Sequence, residues 1–88
     1  MKMYYTGMIT EKYFEDHSTN RAFYSCYDDG RWISERNDHV WFPKSICKFG
    51  KPNDIGWLEV CIPVWFFQKN NIDHRRCIDI QWNGIKSL

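Results

Sequence analysis

Hydrophobic and polar residues alternate along three segments of the chain. The segments are Arg21–Tyr27, Trp57–Ile62 and Cys77–Trp82. A period of two places successive side chains on opposite faces of a strand, so alternation predicts strands with one buried face. All three segments are also rich in β-branched or aromatic residues, which favour strands. The pattern therefore predicts that these three segments are strands of a sheet.

Glycine and proline divide the rest of the chain. Lys2–Phe14 is rich in Tyr, Thr, Ile and Phe, which predicts one long or bent strand with a bulge at Gly7. A short strand from His39 must end at Pro43, because proline cannot donate to a ladder. Pro63 is suited to the first turn of a helix, where its missing N–H costs nothing, so a short helix is predicted over Val64–Asn70.

Polar residues mark the connections. Turns are expected over Glu15–Asn20, at Asp28-Asp29-Gly30 and at Asn83-Gly84, and a loop over Lys48–Gly56. The charged segment Arg31–Asp38 is an excursion or a short hairpin arm.

About five strands, one short helix and mostly short connections indicate a mainly β protein, β-rich within the α+β class. The expected architecture is a small curled antiparallel sheet or a five-stranded barrel of the SH3-like or OB-like kind. Linkers, repeats and low-complexity tracts are lacking, so residues 1–88 are predicted to form a single domain.

The composition adds a surplus of aromatic residues. The 88 residues include 5 Trp, 5 Tyr and 6 Phe. A core of this size does not enclose that many rings, so some are expected at the surface. Exposed aromatic residues supply much of the binding energy at protein interfaces.

Four well-separated cysteines occur, at positions 26, 47, 61 and 77. None of their spacings is that of a zinc knuckle or a redox dithiol. No signal-like segment follows Met1 and no apolar run approaches the roughly 18 residues of a spanning helix. These features favour reduced, mostly buried cysteines in a cytoplasmic protein that does not bind a membrane; a secreted domain with two disulfides is the alternative.

The sequence gives little support for catalysis or for metal binding. Asp38-His39 and Asp73-His74 are adjacent pairs, but sequence neighbours on a strand point to opposite faces. His74 and Cys77 have a spacing that suits a helix, whereas Cys77 begins a predicted strand. We therefore expect no enzymatic activity, no cofactor and no metal site.

Nucleic-acid binding is an alternative, because small barrels combine basic residues with aromatic rings that stack on bases. Candidate residues for a single-stranded site are the lysines of one loop and of the helix end: Lys44, Lys48, Lys51 and Lys69. The net charge of +1 opposes it.

Protein binding agrees with more of the sequence. Trp65, Phe66 and Phe67 are consecutive, and on a helix at 100° per residue they cannot all face one core. At least one ring should therefore face outward, toward solvent, a partner or a second copy of the chain in a homodimer. The expected partner contacts are aromatic residues and nearby arginines: Trp32, Trp65, Phe67, Arg75 and Arg76.

One motif resembles a known pattern. Trp41-Phe42-Pro43-Lys44-Ser45, preceded by Asn20-Arg21-Ala22-Phe23 and followed by Ile62-Pro63-Val64-Trp65-Phe66, resembles small proteins of bacteriophages and mobile elements whose centre reads Trp-Ile-Pro-Lys-Ser. The resemblance implies an accessory protein of a mobile element. Such proteins include anti-CRISPR inhibitors, which suggests docking on a host protein or ribonucleoprotein complex and inhibition by occupancy.

Overall fold

The protein is mainly β with two short helices. The structure is a computed structural model that describes residues 2–28 and 38–88. In chain order the elements are β1 (Met3–Thr10), α1 (Glu11–Asp16), β2 (Ala22–Cys26), β3 (His39–Pro43), β4 (Lys48–Phe49), β5 (Trp57–Pro63), α2 (Val64–Lys69) and β6 (Gln81–Ser87). Single 3-10 turns span Lys44–Ile46 and His74–Arg76.

Two antiparallel sheets are present in the described residues. One has four strands in the order β4-β5-β1-β6, and the other consists of β2 and β3. The predicted β-rich class is confirmed. Across 2–28 and 38–88 these strands form no closed barrel, so the predicted SH3-like or OB-like barrel is wrong there. The single predicted helix becomes two.

The core lies between the two sheets and α2. In β1 and β5 the residues Ile9, Leu58, Val60 and Ile62 face it, and α2 contributes Phe67. Phe23 and Ser25 of β2 are buried while their neighbours are half-buried, so the predicted faces of this strand are confirmed.

The first strand is shorter than predicted. It ends at Thr10, whose side chain accepts a hydrogen bond from the Tyr13 N–H and caps α1. Threonine at this position satisfies a backbone donor that the first helical turn leaves free. The strand predicted over Lys2–Phe14 is therefore confirmed for Met3–Thr10, and a helix over Glu11–Asp16 replaces its last part. The turn predicted over Glu15–Asn20 is limited to the residues after this helix, 17–20.

The last strand is also displaced from its predicted position. Cys77–Trp82 alternates in sequence, but β6 begins only at Gln81 and Ile78 is 60% exposed. The predicted Asn83-Gly84 turn lies inside β6, where the register with β1 shifts between Thr6 and Gly7. Asn83 is the extra residue, and its Oδ1 accepts a 2.6 Å hydrogen bond from the Thr6 hydroxyl. The irregularity predicted at Gly7 thus lies opposite it, as a bulge in β6.

The structural roles predicted for Pro43 and Pro63 are confirmed. β3 ends at Pro43, and α2 begins directly after Pro63 and ends at Lys69. The loop predicted over Lys48–Gly56 begins with the two paired residues of β4. Asp29 and Gly30 of the predicted turn lie outside the described residues. Residues 31–37, which make up most of the charged segment Arg31–Asp38, also lie outside them.

Candidate functional site: the Trp65 groove

Three segments of the chain meet at one end of the four-stranded sheet. The register pairs Tyr4 at the start of β1 with Pro63 at the end of β5. Lys48 of β4 pairs with Cys61 on the other side of β5. The beginning of the chain, the segment after β3 and the start of α2 are therefore adjacent in space.

The three consecutive rings of α2 have different environments. Phe67 is 2% exposed and contacts the rings of Tyr5 and Phe42, with centroid distances of 5.4 and 5.8 Å. Phe66 is half-buried, and Trp65 is 47% exposed. The prediction that at least one of these rings faces outward is confirmed. The prediction of Phe67 as a partner contact is wrong, because this ring belongs to the core.

The exposed indole separates two depressions, and together they form what we call the Trp65 groove. The smaller has a volume of about 210 Å³ and is lined by Lys2, Tyr4, Cys47, Lys48, Pro63 and Trp65, among others. The second, of about 370 Å³, is lined by Lys2, Met3, Val64, Trp65 and Gln68. Trp65 and Lys2 line both, so they form the ridge between them.

The charge of the groove is positive. Lys2 and Lys48 are exposed, and within residues 2–28 and 38–88 neither ammonium group has an ion pair. Neither lining includes an Asp or Glu. Glu59 of β5 is paired with Lys86 at 3.6 Å instead. The groove therefore combines an apolar centre with two cationic sides.

The groove does not contain an activated nucleophile. Burial, followed by the nearby Cys61, raises the pKa of the Cys47 thiol to about 12. This thiol donates a 3.4 Å hydrogen bond to the Pro43 carbonyl. Because the thiolate is the reactive form, Cys47 is inert at neutral pH.

The predicted arginine contacts lie elsewhere and have internal partners. Arg75 forms two hydrogen bonds with the Asp73 carboxylate, at 3.1 and 3.0 Å, which holds the pKa of Asp73 below its usual value. Arg76 donates to the Asp28 carbonyl at 3.1 Å. Arg75 therefore stabilises the 3-10 turn itself, and Arg76 connects this turn to the residue Asp28 shortly after β2. Neither arginine lines the groove. Trp32 lies outside the described residues.

The four candidate lysines are not brought together. Lys44 donates to the Thr19 carbonyl at 2.6 Å and lies over the Phe14 ring. Lys48 lines the groove, whereas Lys51 lies in the loop after β4 and Lys69 at the end of α2. Lys48 is thus the one member of this set that lies beside an exposed aromatic ring of the candidate site.

The structure also shows the surroundings of His74 and Cys77, the two residues considered for metal binding. His74 stacks on Tyr5 with a centroid distance of 3.7 Å, and Cys77 is fully buried. In the part of the chain that the structure describes, no three His, Cys, Asp or Glu side chains are grouped so as to hold a metal ion. None of the helices there is long and apolar enough to cross a membrane.

Of the residues that line the groove, only Trp65 and Lys48 were predicted as site residues; Lys2 and Tyr4 are among those that were not. Nothing in the sequence places the start of β1 beside Trp65, since that contact depends on the pairing of β1 with β5.

Comparisons of the chain with family models, with curated proteins and with solved structures give no match.

Proposed function

We propose that this chain is a binding protein that docks on an acidic surface of a partner protein through the Trp65 groove. The observation that carries the proposal is the 47% exposed Trp65 ring, which stands between two depressions. Tryptophan is among the residues most enriched at binding hot spots, where it fills a desolvated pocket of the partner.

The charge of the groove supports the choice of partner. Lys2 and Lys48 both line the smaller depression, and its lining includes no Asp or Glu. Facing carboxylates would complement these ammonium groups, steer the encounter and fix the orientation of the complex. The arrangement of an apolar centre inside a charged rim is the usual anatomy of a protein interface.

The resemblance to small phage and mobile-element proteins indicates what docking would achieve. An 88-residue chain that occupies a functional surface inhibits by blocking access to it, as an anti-CRISPR-like protein would in the host cytosol. The partner we propose is accordingly a host protein or ribonucleoprotein complex.

Charge and ring variants test the proposal. A partner captured from host extract is identified, purified and titrated with wild-type chain and with Trp65→Ala. Loss of a hot-spot tryptophan should weaken binding by about 2 kcal/mol or more. Lys2→Glu and Lys48→Glu should lower the association rate, most strongly at low salt.

Ile78→Ala is the matched control, since Ile78 is 60% exposed but lies away from the groove residues. Binding that survives Trp65→Ala and both charge reversals at wild-type strength would refute the proposal. An inhibition assay of the captured complex then checks whether docking blocks its activity.

A single-stranded nucleic acid is the alternative occupant of the groove. An exposed indole flanked by lysines can stack on a base while the ammonium groups contact phosphates. Under this alternative a labelled oligonucleotide binds with an affinity that falls steeply with salt and that Trp65→Ala removes. Failure of the oligonucleotide to bind at low salt eliminates it.

A further inference from the structure

A second exposed aromatic surface lies on the two-stranded sheet. Tyr24 of β2 pairs with Trp41 of β3, and the two rings are 4.7 Å apart between centroids. His39, two residues before Trp41, contacts Tyr24 at 4.6 Å, and His17 contacts it from the other side at 5.0 Å. We call these four residues, His17, Tyr24, His39 and Trp41, the aromatic platform.

The platform is not part of the core. Phe23 and Phe42 occupy the opposite face of the same two strands and are fully buried. Trp41 is 48% exposed, His39 is exposed, and the other two rings are half-buried. Because the rings touch one another directly, they form a continuous surface rather than a cage around a ligand.

A basic residue, Arg21, lies at one end of the platform. Beyond the Tyr24 and Trp41 pair the ladder ends at Ala22 and Pro43, where the Lys44 N–H donates to the Arg21 carbonyl at 2.8 Å. Arg21 is exposed at this end. The Lys44 ammonium group instead donates to the Thr19 carbonyl and lies over the Phe14 ring, which packs against the buried Phe23 on the opposite face of the sheet. The nearby acidic residue Asp16 is paired with Lys12 at 3.2 Å, and Asp38 lies at the opposite end, beside His39.

From this geometry we infer that the aromatic platform binds single-stranded nucleic acid, with bases on the rings and a phosphate near Arg21. Rings two residues apart on a strand are about 7 Å apart. This is about twice the 3.4 Å spacing of stacked nucleotides, so successive bases of an extended strand stack on rings instead of on each other. The inference goes beyond the docking proposed for the Trp65 groove and uses different residues.

Fluorescence anisotropy of a labelled oligothymidylate of about 12 nucleotides tests the inference. The wild-type chain should bind it at low salt, more tightly than it binds a duplex of the same length, whose paired bases cannot reach the rings. Trp41→Ala should lower the affinity roughly fivefold or more. Arg21→Gln should reduce the slope of log affinity against log salt by roughly 0.7.

Two control variants test whether oligonucleotide binding is specific to the platform. Ile78→Ala removes an exposed apolar side chain outside the platform, and Trp65→Ala removes the exposed ring of the groove; both should bind the oligonucleotide like wild type. A circular dichroism melt confirms that each variant is folded.

Three results would overturn the inference. The first is no binding by wild-type chain at low salt, and the second is unchanged binding by Trp41→Ala. The third is a loss of oligonucleotide binding in Trp65→Ala alone, which would place the nucleic acid in the groove. If Trp41→Ala instead weakens capture of the partner protein and leaves oligonucleotide binding intact, the platform belongs to a protein interface and the inference fails.

Discussion

Neighbouring aromatic residues of this protein have opposite roles because of the face they occupy. Two positions separate Trp65 from Phe67, yet the first is 47% exposed and the second 2%. The sequence predicts that such rings cannot share one core, since helical geometry separates them. Which ring faces inward depends on where Tyr5 and Phe42 lie, and only the folded chain determines that.

His74 makes stability depend on pH. Burial against Tyr5 and Trp82 lowers its pKa below the ordinary 6.5; the Asp73 carboxylate opposes this and Arg75 adds to it. Folding therefore favours the neutral imidazole, and the unfolded chain takes up a proton at higher pH. Stability should be complete above the ordinary pKa and should fall as pH decreases from there through the lower pKa of the folded chain.

Thermal unfolding of His74→Phe checks this effect. Phenylalanine keeps a ring against Tyr5 but has no proton to bind, so the decrease in melting temperature between about pH 7.5 and pH 5 should be smaller than in wild type. An equal decrease in both proteins would show that His74 is not its source.

At the scale of elements, one carboxylate connects the segment before β6 to β2 and α1. Oδ2 of Asp79 accepts hydrogen bonds from the Cys26 N–H at 2.7 Å and from the Tyr13 hydroxyl at 2.8 Å. The Asp79 N–H donates to the Ser25 hydroxyl at 3.2 Å. Burial, followed by this carboxylate, raises the pKa of Tyr13 well above its ordinary 10.0.

Asp79→Ala should be strongly destabilising. It leaves the Cys26 N–H and the Tyr13 hydroxyl without an acceptor, which should cost about 3 kcal/mol of unfolding free energy. Urea denaturation measures the loss. Asp54→Ala is the matched control: Asp54 is exposed in the loop before β5, and its removal should change stability by less than about 0.5 kcal/mol. Equal effects of the two variants would contradict the role assigned to Asp79.

These contacts also explain which elements were predictable. β2, β5 and α2 follow from alternation and proline, which are local signals. Residues 77–80 alternate as a strand does, but Asp79 turns toward β2 and leaves Ile78 exposed. The strand predicted over Lys2–Phe14 from its β-favouring residues likewise ends at Thr10, whose side chain caps α1 by accepting from the Tyr13 N–H. In both places a hydrogen bond to a specific partner outweighs the local sequence signal.

At the scale of the whole molecule, the candidate site lies where segments distant in sequence meet. The Trp65 groove joins residues from the start of β1, the segment before β4 and the start of α2, which are far apart in sequence. Sequence reasoning identified Trp65 from its neighbours and Lys48 from its charge. It did not identify Lys2 or Tyr4, because their place depends on strand order and register.

The central claim is that the partner protein covers the Trp65 groove. Amide hydrogen exchange of the chain, alone and bound to its captured and purified partner, tests this claim most directly. We expect slower exchange on binding in Lys2–Tyr4, Ser45–Lys48 and Val64–Gln68, with β6 unchanged. Unchanged exchange in all three segments, with protection confined to other parts of the chain, would contradict the claim.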